Sequence, residues 1–336
     1  METPEDIQNF LFRRIKELIP ASHSLVDQVA ELLGVSNDSA YRRIRGETSL
    51  SLKETAILLK HFQIPAEVLL GNGDNSSVIF NYKVSHGLDA DFDQYLQGIL
   101  NDLRNIAKAE NREIIYAAKD IPIFHHFLFP ELAAFKIFFW MKSVMNVPSY
   151  SKKMFNREEI DKTFFERGKE ILALYEKIPA TEIWSEETLN STVKQIEYCW
   201  DSGFFKTKED ALFLCEQLNS MMQHIQKQAE LGMKFHPAHT PMHQEEGNYQ
   251  LYYNEMLIGN NNILVTAGGS QITYLTHNVL NYLITSNAAF CKETEESLKS
   301  LIKKSVLISG VSEKQRNQFF RKALGLIEQL AEKIRK

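Results

Sequence analysis

The sequence predicts a mainly α protein: an N-terminal bundle of five short helices, then a larger, mostly helical α+β region with a small antiparallel sheet. Three observations carry that expectation. The first 70 residues contain one helix start and stop after another. Gly71–Ser77 (GNGDNSS) is rich in Gly, Asn and Ser with nothing to bury, which reads as a linker. Beyond residue 248, alternating apolar runs flank a Gly-Gly pair, the signature of a hairpin. The expected organisation is therefore 1–70, a linker at 71–77, and 78–336, with 235–248 as a place where the larger region could divide.

Each N-terminal helix has its own local cause. Thr3 can cap a first helix with Pro4 at its first position, and Ile7, Phe10, Leu11, Ile15 and Leu18 recur at helical spacing before Pro20. Ser24 precedes LVDQVAELL, where Leu25, Val29 and Leu32 or Leu33 give an apolar face and Gly34 a stop. Ser36 starts a third helix, NDSAYRRIR, ending at Gly46. Ser51 and Glu54 have the spacing of a capping box for LKETAILLKHF. Pro65 opens a fifth short turn that runs to Leu70.

The larger region reads less sharply. Helices are expected over Asp91–Ala109, Leu132–Met145, Glu158–Ile178, from Ser185 to about Trp200, after Thr207 to Leu231, and over Lys292–Leu307 and Ser312–Ile334. A strand is expected at Ile114–Ala117, and YQLYYNEML, NILVTA and QITYLTH supply the sheet. No repeat period is visible.

Composition narrows the function classes. With 336 residues, 44% hydrophobic, and 21 Phe, the chain has ample core material and is not disordered. Its most apolar stretch, Ile121–Met145, is broken by Pro122, His125, His126, Pro130, Glu131 and Lys136, so no membrane span is expected. The acidic opening METPEDIQNF lacks a hydrophobic signal segment, and three distant cysteines suit a reducing compartment; together these point to the cytoplasm. The net charge of −5 argues against nucleic acid only as an average. Within residues 37–47, three arginines face Asp38 and Glu47, so positive charge is concentrated on one short helix.

That helix belongs to a helix-turn-helix pattern. Asp27–Leu33 forms the first helix, Gly34-Val35-Ser36 the turn, and Asn37–Arg45 the second. Ala30 is small where the helices must approach, and Ala40 with Ile44 gives the second helix one buried stripe. Off that stripe stand Asn37, Asp38, Ser39, Tyr41, Arg42, Arg43 and Arg45, residue types that reach base edges and phosphates from a major groove.

From Leu25 to Leu70 the sequence resembles the lambda-repressor-like (XRE-type) DNA-binding domain. The features that carry the resemblance are Ala30-Glu31-Leu32-Leu33-Gly34-Val35-Ser36, Arg45-Gly46, the Ser51-capped helix and the closing Pro65–Leu70 turn. Two positions depart from that family's pattern: Val26 stands where a Gln is frequent, and Arg43 where an apolar residue is usual. The resemblance implies double-stranded DNA as partner. It implies Asn37, Ser39 and Tyr41 as base-edge readers, Arg42, Arg43 and Arg45 as base or phosphate contacts, Ser36 as helix cap, and Asp38 on the same face. A single small domain neutralises few phosphates, so a homodimer on a two-fold operator is expected, with 78–336 supplying dimerisation and effector sensing.

Other constellations have plainer readings. His236, His239 and His243, with Glu245 and Glu246, match no metal-ligand spacing and sit among Pro237 and Pro241, so an exposed polar loop is expected and no metal. His125-His126 reads as a hydrogen-bonded pair at a core edge, Cys199 and Cys215 as buried small residues. Phe138, Phe139, Trp140, Met141, Met145, Trp184, Trp200, Met221 and Met222 could line a pocket, with an ordinary helical core as the default. The last forty residues hold ten Lys and Arg against three Glu, but Phe319, Phe320, Leu324, Ile327 and Leu330 run through them as a docked stripe. No catalytic group or cofactor motif stands out, so no enzyme is expected. The alternatives to an operator-binding regulator with a small-molecule or peptide effector are a peptide- or protein-sensing repressor, and an interaction scaffold whose helix-turn-helix does not bind DNA.

Overall fold

A computed structural model describes residues 4–19, 24–62, 64, 66, 69, 78–82, 89–160, 163–238, 248–256, 258–278 and 281–336. The expected linker Gly71–Ser77 and residues His239 and His243 of the histidine-rich loop lie outside the described residues. The chain separates into two compact units, Met1–Ile79 and Phe80–Lys336. It opens with five helices, α1 (Pro4–Leu18), α2 (Leu25–Leu33), α3 (Asn37–Ile44), α4 (Leu52–His61) and α5 (Asp89–Lys108), of which four lie in the first unit. The fifth short turn expected over Pro65–Leu70 falls mostly outside the described residues; Ile64 and Leu69 at its edges are buried.

The first unit has its own core, built from Leu11, Phe12 and Ile15 of α1, Val29 and Ala30 of α2, Ala40 of α3 and Leu58 of α4. These residues recur at helical spacing, so each short helix contributes one apolar stripe and leaves its other faces polar. None of the helices is long enough to be stable alone in water; packing of those stripes holds them.

The second unit is built on a mixed sheet that, among the described residues, has seven strands: β1 (Glu113–Ala118), β2 (Ala180–Trp184), β3 (Tyr249–Tyr253), β4 (Asn262–Ala267), β5 (Ser270–Asn278), β6 (Asn281–Thr285) and β7 (Val306–Leu307), in the order β6-β5-β4-β1-β2-β3-β7. Of the three segments expected to form a small antiparallel sheet, NILVTA and QITYLTH pair antiparallel as β4 and β5 across Gly268-Gly269, whose φ values of 59° and 84° suit a tight hairpin turn, whereas YQLYY, as β3, lies beyond β1 and β2 and runs parallel to β2. The expected strand at Ile114–Ala117 is β1; β1, β2 and β3 run parallel, with Ile114 opposite Ala180 and Ala180 opposite Tyr249, and β2, β6 and β7 are strands beyond those expected. One sheet therefore spans both sides of the 235–248 segment.

Parallel neighbours need long crossovers. Between β1 and β2 run α6 (Ile123–His126), α7 (Pro130–Phe139), a π-helical turn at Trp140–Val144, and α8 (Thr163–Tyr175). Between β2 and β3 run α9 (Glu186–Asp201) and α10 (Lys208–Leu231). The chain closes with α11 (Ala288–Lys303) and α12 (Glu313–Arg335). Side chains alternate across the sheet. Ile114, Tyr116, Ala180, Trp184, Tyr249 and Leu251 enter the large helical core, whereas Ile115, Ala117, Ile183 and Leu264 meet a smaller cluster with Cys291 and Leu298 of α11. β2 is buried along its whole length and carries Glu182, which is why its sequence shows no alternation. Among the described residues, no helix is long and apolar enough to cross a membrane.

Candidate nucleic-acid interface

The geometry around α3 follows from its caps. Ser24 Oγ accepts the Asp27 N–H at the start of α2, and Gly34 ends that helix at φ 64° while the Val35 N–H bonds back to Ala30 O at 3.0 Å. Ser36 Oγ then accepts the Ser39 N–H at 3.2 Å and caps α3, which starts at the next residue. Such caps stabilise a helix start by about 1 kcal/mol each. The capping box of α4 is complete: Ser51 Oγ accepts the Glu54 N–H at 3.2 Å, and Glu54 Oε2 accepts the Ser51 N–H at 2.8 Å.

Glu54 has a second task. Its Oε1 accepts Arg43 Nε at 3.1 Å and lies 2.9 Å from Arg43 Nη2, while Arg43 Nη1 donates to Ser39 O at 3.1 Å. The hydrogen bond from the Ser51 backbone, with help from Ser51 Oγ and Arg43 against partial burial, holds the Glu54 carboxyl below its ordinary range. Arg43 thus keeps the inward position at which the family pattern has an apolar residue, and an ion pair to α4 replaces the apolar contact. Gln8 of α1 braces the other end. Its Nε2 donates to Arg43 O at 2.7 Å and Thr48 O at 2.9 Å, and its Oε1 accepts the Leu50 N–H at 2.8 Å. No sequence motif flags Gln8, because its partners are 35 to 42 residues away.

With Ala40 fully buried and Ile44 against the core, the opposite surface of α3 is solvent-facing. Ser36, Asn37, Asp38, Tyr41, Arg42 and Arg45 are exposed, and Ser39 is half-buried. Asn37 Nδ2 donates to Asp27 Oδ1 at 2.8 Å, joining the two helices of the motif at their N-termini. Arg45 lies over the Tyr41 ring at 5.6 Å. Glu47 stands between two arginines, 3.3 Å from Arg45 and 3.8 Å from Arg42. Of the three sequence-selected arginines, two therefore present to solvent and one is tied into the fold: the Arg42 and Arg45 side chains are 56% and 59% exposed, that of Arg43 17%.

The remaining constellations resolve into structure. His125 is buried deeper than a core edge: its Nε2 lies 2.9 Å from Glu182 Oε1, and Glu182 also accepts Trp184 Nε1 at 2.8 Å, Tyr249 Oη at 3.1 Å and the Tyr175 hydroxyl. Burial opposes the Glu182 charge, and His125 and Tyr175 outweigh it, so its carboxyl sits below the usual range. Cys199 and Cys215 are buried, and burial pushes both thiols up to about 12. α12 docks through Phe319, Phe320, Ile327 and Leu330, and two of its cations are engaged across helices, Lys333 with Glu197 at 2.9 Å and Asp201 at 2.7 Å, Lys322 with Glu186. Most of the Met and aromatic set is ordinary core, Phe138, Met141, Trp184, Met221 and Met222 among them. Among the described residues, no three His, Cys, Asp or Glu side chains could hold a metal ion together.

Residues 12–88 match the BetR domain family, so the N-terminal part of the chain carries a helix-turn-helix domain of that type. Among curated proteins and among solved structures, nothing matches the chain.

Proposed function

We propose that the chain is a sequence-specific DNA-binding transcription regulator, residing in the cytoplasm, that binds a two-fold operator as a homodimer. Residues 1–70 would form the DNA-binding domain, 71–77 the linker, and 78–336 the dimerisation and effector-sensing module. The observation that carries the reading is the outward surface of α3. A helix braced from three sides presents Asn37, Tyr41, Arg42 and Arg45 together, each with a polar group able to hydrogen-bond. The BetR match supports it.

In this reading α3 enters the major groove. Asn37, Ser39 and Tyr41 face base edges, and Arg42 and Arg45 take phosphates or guanines. Ser36 caps the helix, and the exposed Asp38 carboxylate, which repels phosphates, can only accept from base-edge donors such as cytosine N4. Arg43 serves through Glu54, setting the angle between α3 and α4. Phosphate contacts give non-specific affinity, and two copies spaced by the dimer give a site.

Selection of bound sequences from a random oligonucleotide pool, with the full chain as bait, tests the proposal. The expected result is a palindrome whose half-sites lie about one helical turn apart. A pool that stays random after repeated rounds would favour a helix-turn-helix engaged in protein contacts. A single-species monomer mass in solution, with and without the selected duplex, would refute the dimer.

A further inference from the structure

The larger unit contains a cavity of about 690 Å³, inside the roughly 300–1,000 Å³ that small-molecule sites occupy. Its wall is aromatic: Tyr95, Tyr116, Phe139, Trp140, Tyr198 and Tyr282 line it. Asp120, Ser191 and Gln195 line a polar portion. Behind them the buried Lys136 donates to Asp120 and, at 2.7 Å, to Gln195 Oε1, and Gln195 Nε2 donates to Ser191 Oγ at 3.2 Å. The charge of Asp120 is thus already answered inside the protein.

Two cations in the lining are not answered. Lys119 and Lys194 are exposed, and among the described residues neither ammonium has a partner. Each precedes a member of the polar network, Asp120 and Gln195, whose side chains approach to 3.5 Å. Both lysines therefore rise from the same polar patch. Glu187 is the one lining carboxylate left unpaired among the described residues, so lysine charge exceeds carboxylate charge. A smaller apolar chamber of about 130 Å³ shares Tyr95, Tyr116, Ile123 and Tyr282 with this cavity. In that shared wall the Tyr95 and Tyr282 rings stack at 6.2 Å with their hydroxyls 3.3 Å apart.

We infer that the cavity is a binding site for a small amphipathic anion, a flat apolar body with a carboxylate. The body lies on the aromatic wall, and the carboxylate reaches Lys119 and Lys194. Charge-assisted ammonium–carboxylate hydrogen bonds at one end and ring contacts at the other give both charge and shape selection. Ligand binding stands on the larger unit alone; its use as an effector signal rests on the DNA-binding reading above.

Two probes with the same ring and opposite charge test this, 1-naphthylacetate and 1-naphthylmethylamine, titrated calorimetrically into the full chain without DNA. The carboxylate should bind one per chain, roughly tenfold tighter than the amine, and more weakly as salt is added. Lys119→Met with Lys194→Met keeps the apolar stems and should bring the carboxylate down to the level of the amine. Glu187→Gln should tighten it. All three side chains are exposed, so an unchanged unfolding midpoint accompanies each variant. Equal affinity for the two probes, preference for the amine, binding of neither, or carboxylate binding that survives loss of both lysines would overturn the inference. Because no DNA is present, such a failure leaves the operator reading standing, and a chain that binds the carboxylate but no oligonucleotide separates the two the other way.

Discussion

Arg42, Arg43 and Arg45 are neighbours in sequence with different expected roles, and alanine substitution separates them. Removing one phosphate contact flattens the slope of log K against log salt by about 0.9. A dimer has two recognition helices, so Arg42→Ala should flatten the slope by about 1.8, and Arg42→Ala with Arg45→Ala by about 3.6 if both take phosphates; a monomer gives half of each. Arg43→Ala should behave otherwise. It removes two bonds to Glu54, at 3.1 and 2.9 Å, and one to Ser39 O. The Glu54 carboxylate then keeps only its capping role. Because both side chains are mostly buried, at 17% and 18% exposure, the destabilisation should be about 1–2 kcal/mol. For a unit of this size, each kcal/mol corresponds to roughly 4–8 °C in melting midpoint. Fluorescence anisotropy over a salt series measures the slopes. Trp140, Trp184 and Trp200 all lie in the larger unit, so tryptophan emission does not report on the small one. Amide exchange across α3 and α4 does. Arg43→Ala flattening the slope as much as Arg42→Ala, with exchange unchanged, would refute the division of roles.

Three further outcomes follow from the same geometry. Glu47→Gln removes the carboxylate beside Arg42 and Arg45 and should raise DNA affinity severalfold at low salt, fading as salt screens the charges; an unchanged or lower affinity would count against those arginines as contacts. Gly34→Ala meets no atom within 4 Å, so its cost is the left-handed backbone at φ 64° alone, about 1–2 kcal/mol, read as faster exchange in α2 and α3. His126 is fully buried with Nε2 unpaired, and burial, aided by Lys136, lowers its pKa to about 3. Between pH 6.5 and about 3 the unfolded chain takes up a proton that the folded one refuses, so stability falls as pH drops through that window. His126→Phe should remove up to about 1.4 kcal/mol per pH unit from that acid limb, seen in urea midpoints followed by tryptophan emission; parallel pH curves for variant and parent would refute it.

How much was legible depended on distance along the chain. The capping box at Ser51 and Glu54, the stop at Gly34 and the hairpin at Gly268-Gly269 are each written in a few contiguous residues, and each forms where read. The missed strands were β7, which takes Val306 and Leu307 where the helix from Lys292 was expected to end, and the pair β2 and β6. β2 is five buried residues after Pro179 with a glutamate in the middle, and β6 is short and begins and ends on polar residues. Neither has a local period; both are held by neighbours outside their own segment, β2 by β1 across more than 60 residues. His125-His126 looked like an edge pair because Glu182, the acceptor that permits His125 to be buried, is 57 residues away.

By itself the sequence determined where the helices of the first unit start and stop, and that polar and basic residues line one side of α3. Helix propensity, caps and apolar spacing are local, so a linear string carries them. Which arginine faces solvent and which is tied into the fold was decided by tertiary structure, since Arg43 meets Glu54 of another helix whereas Arg42 and Arg45 meet only the exposed Glu47 close by in sequence. The parallel core of the sheet, the carboxylate of Glu182 inside it and the cavity with two unanswered lysines were decided there too. Each depends on partners brought together by crossovers, and the free energy of a buried charge is set by those partners, not by its neighbours in sequence.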